Sequence, residues 1–171
     1  MLMAFSLLEF GDSSRRLYLY DTYAGMTEPT EEDVIAWNGL SVCERRRAEQ
    51  RKSKDSFSSW AIGMEEVASN MRTTGYPQEQ IRYVAGDVCE TLKTGAPRKV
   101  ALLRLDTDWY ASTRAELELL YPRLVCGGVL IIDDYGHFAG ARQAVDEYFK
   151  NLGYLPYLSR VDYTARVMVK Q

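Results

Sequence analysis

Three short apolar runs of this sequence end in acid: Leu19-Tyr20-Asp21, Arg104-Leu105-Asp106 and Ile131-Ile132-Asp133-Asp134. An ionised carboxylate that follows an apolar run is costly to bury unless it gains a partner. That partner is a metal ion, a sugar hydroxyl or a set of backbone amides. Capping of the next helix is the local alternative for each acid taken singly. Three such acids in one layer favour a ligand site, because open α/β sheets bind ligands outside the carboxyl ends of their strands. Asp106, Asp133 and Asp134 are hard oxygen ligands of the kind Mg²⁺ prefers. No histidine–cysteine set competes for a softer metal. Asp108, two residues beyond Asp106, is read either as part of this set or as the cap of a helix beginning near Ser112.

Strands and helices must alternate to hold those acids. The opening residues 1–8 read as the last turns of a helix ending at Gly11, and residues 17–20 as a strand. Thr30 with Asp33 marks a helix start, with the helix running into residues 44–54. Met64, Val67, Ala68 and Met71 repeat as a buried helical stripe. Ile81–Ala85 is the next strand and residues 88–92 a short helix. Val100–Leu105 is almost continuously apolar, as expected of a strand covered on both faces. Thr113 and Glu116 have capping-box spacing ahead of the stripe Leu117, Leu120, Tyr121 and Leu124. Gly127-Gly128 turns the chain into residues 129–132, a second fully buried strand. Ala141, Ala144, Val145, Tyr148 and Leu152 mark the last helix, and residues 154–159 and 165–169 close as a hairpin. The pattern is α/β, a mostly parallel doubly wound sheet with an antiparallel end.

Composition narrows the classes further. The 171 residues suit one domain, and 46% hydrophobic with 26% charged residues is ordinary globular usage. With 21 basic against 24 acidic residues the formal charge is −3, which argues against nucleic acid as a partner. No apolar run approaches the ~18 residues that span a bilayer, so no membrane partner is expected. Three scattered cysteines (Cys43, Cys89, Cys126) give neither a disulfide framework nor a zinc knot, and they fit a cytoplasmic setting. Arg45, Arg46 and Arg47 with Arg51, Lys52 and Lys54 read as a solvated helix face rather than an anion site.

The stretch LRLDTDWYASTRAELELLYPRLVCGGVLIIDDYGHFAGARQAVDEYF (residues 103–149) resembles the macrocin O-methyltransferase family. So do LYLYDTYAGMTEPTEEDV upstream and the closing SRVDYTARVMVK. The resemblance covers essentially the whole chain. It implies a Rossmann-like class I methyltransferase sheet and an enzyme that uses S-adenosylmethionine and Mg²⁺ to methylate a sugar hydroxyl of a glycosylated natural product. It also implies a homo-oligomer. Carried over residue by residue, it makes Asp21 the acceptor for the cofactor ribose hydroxyls and sets Asp87 by the adenine. Asp106, Asp133 and Asp134 match the metal ligands, with Asp106 also the general base. Tyr23, Gly25 and Met26 match the loop beside the cofactor.

Against that pattern, no strand and glycine-rich turn precede the first helix, so residues 1–171 are expected to form one methyltransferase domain lacking its first strand. That strand would lie between those ending at Asp21 and Asp106, and its loss would expose ladder edges. The chain is then expected to be a truncated product or a fragment of an active parent, a partner of another chain that supplies the strand, or a protein that keeps the fold without turnover. Asp106-Thr107-Asp108 is also a D-x-D, the metal–nucleotide-sugar signature of many glycosyltransferases. His137, the sole histidine, is read either on the substrate side or as a hydrogen-bonded loop residue. Trp37, Trp60 and Trp109 are packing groups or sugar-stacking surfaces, and Trp109 is the candidate that adjoins the acids.

Overall fold

Helices and strands alternate along the chain as the apolar pattern requires. The computed structural model describes residues 1–52 and 61–171, so Lys54 and Trp60 lie outside the described residues. In chain order the elements are α1 (Leu2–Glu9), β1 (Leu17–Asp21), α2 (Val42–Lys52), α3 (Met64–Arg72), β2 (Ile81–Ala85), α4 (Val88–Gly95), β3 (Val100–Leu105), α5 (Tyr110–Leu120), β4 (Leu124–Ile132), α6 (Ala139–Asn151), β5 (Ser159–Arg160) and β6 (Arg166–Val169). They pack as two compact units, residues 1–27 with 55–87, and residues 28–54 with 88–171. No helix among the described residues is long and apolar enough to cross a membrane.

In the first unit, β1 and β2 run parallel in the register Leu17↔Ile81 to Asp21↔Ala85. Ala4, Met71, Tyr76 and Ile81 form its buried core, with Leu7, Leu8, Leu17, Leu19, Val67 and Tyr83 packed around them. Of the stripe expected on α3, Val67 and Met71 face this core, whereas Met64 is exposed. Tyr76 is 1% exposed and donates its hydroxyl to the Arg15 carbonyl at 2.7 Å, which satisfies a polar tip that burial would otherwise penalise.

In the second unit the strand order is β3-β4-β6-β5. β3 and β4 are parallel, β6 is antiparallel to β4, and β5 is antiparallel to β6. The antiparallel end is as expected, although β5 is only the pair Ser159–Arg160. Leu130, Ile132, Leu117, Ala144, Val145 and Phe149 are at most 1% exposed and make the core between sheet and helices. Fully burying each of the larger ones contributes about 1.5–3 kcal/mol.

Four features bear on the expectations. First, among the described residues the strands form a two-stranded and a four-stranded sheet, the separation expected where the strand between those ending at Asp21 and Asp106 is lacking. Among the described residues β1 pairs only with β2, and β3 only with β4, so each has an open edge. Second, β3 is not covered on both faces: Leu103 and Leu105 are buried, whereas Ala101, Leu102 and Arg104 are exposed. Third, Gly127-Gly128 does not end a turn but lies inside β4, where the pairing slips between Val100↔Leu124 and Leu102↔Val129. Gly127 takes φ +77, and a Cβ on Gly128 would stand 2.7 Å from the Val125 carbonyl, so the bulge needs both glycines. Fourth, no helix starts at Thr30. The Asp33 carboxylate folds back onto the Thr30 amide at 2.7 Å and its hydroxyl at 3.0 Å, a local bond that competes with helix. Residues 30–41 instead form a strap, with bridges Val34↔Ser41 and Ile35↔Phe138, and the helix waits until α2.

Candidate functional site

The parallel register Leu105↔Ile132 sets Asp106 and Asp133-Asp134 just beyond the carboxyl ends of adjacent strands. The Asp133 amide donates to the Leu105 carbonyl at 3.0 Å, which carries the ladder one residue further. After β3 the chain turns sharply. Thr107 donates its hydroxyl to buried Glu116 at 2.9 Å, and Ser112 holds the Thr107 and Trp109 carbonyls at 3.1 Å each. Asp108 adopts φ +66, a left-handed conformation that aspartate tolerates better than most residues. This turn brings carboxylate oxygens of Asp106, Asp108 and Asp134 within 4.8 Å of one another.

The electrostatics are those of crowded acids. Arg104, an exposed residue on β3, bonds Asp106 at 2.6 Å and Asp133 at 3.0 Å. Burial and a hydrogen bond shared with Asp133 push Asp106 up to about 7, even though Arg104 pulls it down. Burial, a bond shared with Asp134 and the neighbouring charges push Asp108 up to about 9. Three oxygen donors of this kind fit a hard divalent ion such as Mg²⁺.

The structure groups Asp106 and Asp134 as expected but not Asp133, which is ion-paired to Arg104 beside the cluster. Asp108 joins the group instead. It does not cap α5, which starts at Tyr110 with Trp109 at the N-cap and no side-chain cap bond. The Thr113–Glu116 capping box is likewise not formed, since both residues are buried and Glu116 serves Thr107. Trp109 is 3% exposed and packs edge-on against Phe138 at 5.1 Å, so it is a core residue with no face left for a substrate. His137 lies on the loop after the acids, its amide on the Asp134 carbonyl at 3.0 Å and its Nδ1 3.3 Å from the Tyr163 hydroxyl. Arg46 is not a solvated charge, because it pairs with Glu28 at 2.7 Å with its side chain 13% exposed.

Asp21 and Asp87 belong to the first unit, where β1 and β2 bring them to one carboxyl edge. The Gly86 amide donates to the Asp21 carbonyl at 3.0 Å. Asp21 Oδ1 accepts the Tyr23 amide at 2.7 Å, and the Tyr23 hydroxyl returns to the Leu19 carbonyl at 3.0 Å. Residues 22–25 thus curl over the strand end, helped by φ +53 at Tyr23 and φ +99 at Gly25.

Sequence reasoning missed Asp33, Arg104 and Glu116. Arg104 had a signal, being the single charge inside an apolar strand. Asp33 and Glu116 had none, because their partners are set by packing.

Acids gathered at the carboxyl ends of parallel strands, with an antiparallel closing strand, define an α/β fold of the class I O-methyltransferase kind. The structure of the O-methyltransferase NovP superposes with a TM-score of 0.80 at 29% identity, covering 99% of this chain and 65% of that one. A calicheamicin methyltransferase structure shares the fold at TM-score 0.59 and 20% identity, over 92% of this chain and 61% of that one. The macrocin O-methyltransferase (TylF) family matches residues 1–170, and the chain belongs to that family. The 8-demethyl-8-(2,3-dimethoxy-alpha-L-rhamnosyl)-tetracenomycin-C 4'-O-methyltransferase of Streptomyces olivaceus is 32% identical over 90% of this chain and 54% of its own length. The demethyldecarbamoylnovobiocin O-methyltransferase of Streptomyces niveus is 33% identical over 78% of this chain and 47% of its own. The chain spans about half the length of these curated relatives. Family membership removes the glycosyltransferase alternative for the D-x-D at Asp106.

Proposed function

We propose that this chain serves S-adenosylmethionine-dependent O-methylation of a sugar hydroxyl on a small glycosylated natural product, assisted by Mg²⁺. The observation that carries it is the group of Asp106, Asp108 and Asp134 carboxylates within 4.8 Å at the ends of parallel strands. The names of the relatives support the substrate class, since they act on tetracenomycin and novobiocin precursors. A bound divalent ion would supply Lewis acidity, lowering the pKa of a coordinated sugar hydroxyl. Asp106 and Asp134 with Asp108 would hold it, Asp133 would join them, and both Asp106 and Asp133 would exchange bonds to Arg104. Asp106 takes the hydroxyl proton as general base. Asp21 and Asp87 offer carboxylates to the cofactor ribose and adenine. The bonds to the Thr22 and Tyr23 donors fall on Asp21 Oδ1 and leave Oδ2 for a ligand hydroxyl. His137 lines the substrate side of the acids; the resemblance supports a homo-oligomer, and the scattered cysteines support a cytoplasmic setting.

A second reading is a chain that binds ligand without turnover. Calorimetric titration with S-adenosylhomocysteine, with and without Mg²⁺, tests both, together with methyl transfer from labelled S-adenosylmethionine to a glycosylated acceptor. Micromolar binding and transfer that disappears in Asp106→Asn is the expected result. Binding without transfer supports the second reading, and near-normal turnover by Asp106→Asn overturns the role of Asp106.

A further inference from the structure

Asp33 is the one acid among the described residues that is completely buried, at 0% exposure. A buried carboxylate persists only if its oxygens are satisfied. Oδ2 accepts the Thr30 amide at 2.7 Å and the Thr30 hydroxyl at 3.0 Å. Oδ1 accepts the amide of Tyr110 at 2.8 Å, across 77 positions of sequence. Tyr110 opens α5, directly after the Asp106–Trp109 turn. The same Oδ1 nests against Gly140, where a Cβ would lie only 2.2 Å away, so only glycine admits it there. Gly140 is in the first turn of α6, which follows the Asp133-Asp134 loop. The carboxylate thus sits where the amino ends of two helices converge.

Backbone bonds of the same strap reach the second acid loop. The Ala36 amide donates to the His137 carbonyl at 2.8 Å, and the Ala139 amide donates to the Val34 carbonyl at 2.8 Å. One short segment therefore grips the chain just after Asp108 and just after Asp134. We infer that Asp33 is a positioning residue: by holding the Tyr110 amide from across the fold, it sets the Asp106–Asp108 turn so that the carboxylates of Asp106, Asp108 and Asp134 converge on one cation. The inference rests on the metal reading proposed above. The strained φ of Asp108 is one residue removed from this anchor, and no side chain of α5 itself caps the helix.

Asp33→Asn keeps the shape but must turn an N–H toward one of two donor groups, either Thr30 or the Tyr110 amide. Outer residues that orient metal ligands are typically worth 10–100-fold in affinity. The measurement is Mn²⁺ binding by electron paramagnetic resonance on the full chain, with circular dichroism to verify folding. Folded Asp33→Asn is expected to bind Mn²⁺ at least about tenfold more weakly, with an altered zero-field splitting of the bound ion. Thr30→Val, a change at an exposed position that deletes one donor, is expected to show a smaller loss in the same direction. Wild-type affinity and spectrum in folded Asp33→Asn overturn the inference. Should that variant fail to fold, unchanged affinity in Thr30→Val overturns it. A wild-type chain that binds no Mn²⁺ defeats the metal reading and this inference together, whereas equal binding by wild type and variant defeats this inference alone.

Discussion

Glu116 offers a quantitative test of the turn that carries the acids. It is 5% exposed and bonded to Thr107, the residue between Asp106 and Asp108. Burial lifts its carboxyl from an ordinary 4.5 to about 8. Between those values the folded protein binds a proton that the unfolded chain has released, so this group makes stability fall as pH rises. Its contribution is fully present below pH 4.5 and lost as the pH climbs through about 8. At ~1.4 kcal/mol per unit, the penalty at pH 7 is about 3 kcal/mol relative to a side chain that cannot ionise. Glu116→Gln removes that penalty and keeps a carbonyl for the Thr107 hydroxyl. It also buries one more N–H than the protonated acid, which costs about 1–3 kcal/mol. The net effect at pH 7 is therefore small, but its pH dependence is not. The variant should gain on the wild type by roughly 3 kcal/mol between pH 5 and pH 8. Urea unfolding of both proteins at pH 5, 6, 7 and 8 measures this difference, in which the titration of Asp106 and Asp108 largely cancels. Parallel stability curves would mean that Glu116 is already ionised in the folded state, and the account of the turn would fail.

Further outcomes follow from the same geometry. Asp106 at about 7 and Asp108 at about 9 hold protons that a divalent ion must displace, so Mn²⁺ affinity should strengthen steadily as pH rises from 6 to 9. Affinity independent of pH over that window in a calorimetric titration would refute the raised values. Gly136→Ala should lower the melting temperature by roughly 5–10 °C, since its Cβ would lie 2.1 Å from the Tyr163 carbonyl and overpacking typically costs a few kcal/mol. An unchanged calorimetric melting temperature would show that the loop after Asp134 yields freely.

Much of this protein is written locally. The apolar period located most strands and helices, because side-chain spacing of two or 3.6 residues is a property of the chain itself. The runs ending at Asp106 and Asp134 placed two of the clustered acids for the same reason: a strand end puts its acid at a fixed edge. Where the sequence misled, a distant partner had decided. Thr30 and Asp33 have the residue types of a helix start, yet the Asp33 carboxylate is drawn to the Tyr110 amide, 77 residues away, and the segment becomes a strap. Val100–Leu105 has the composition of a strand buried on both faces, yet among the described residues one edge has no neighbour and one face stays exposed. Trp109 adjoins the acids in sequence but packs on Phe138.

The sequence by itself determined the family, the alternation of elements and which strands end in acid. Tertiary structure alone brought Asp108 alongside Asp106 and Asp134, because a left-handed turn carries it back toward them. Hydrophobic period is a local quantity and survives in one dimension. Which oxygen meets which donor depends on packing across the chain, and only the folded arrangement sets it.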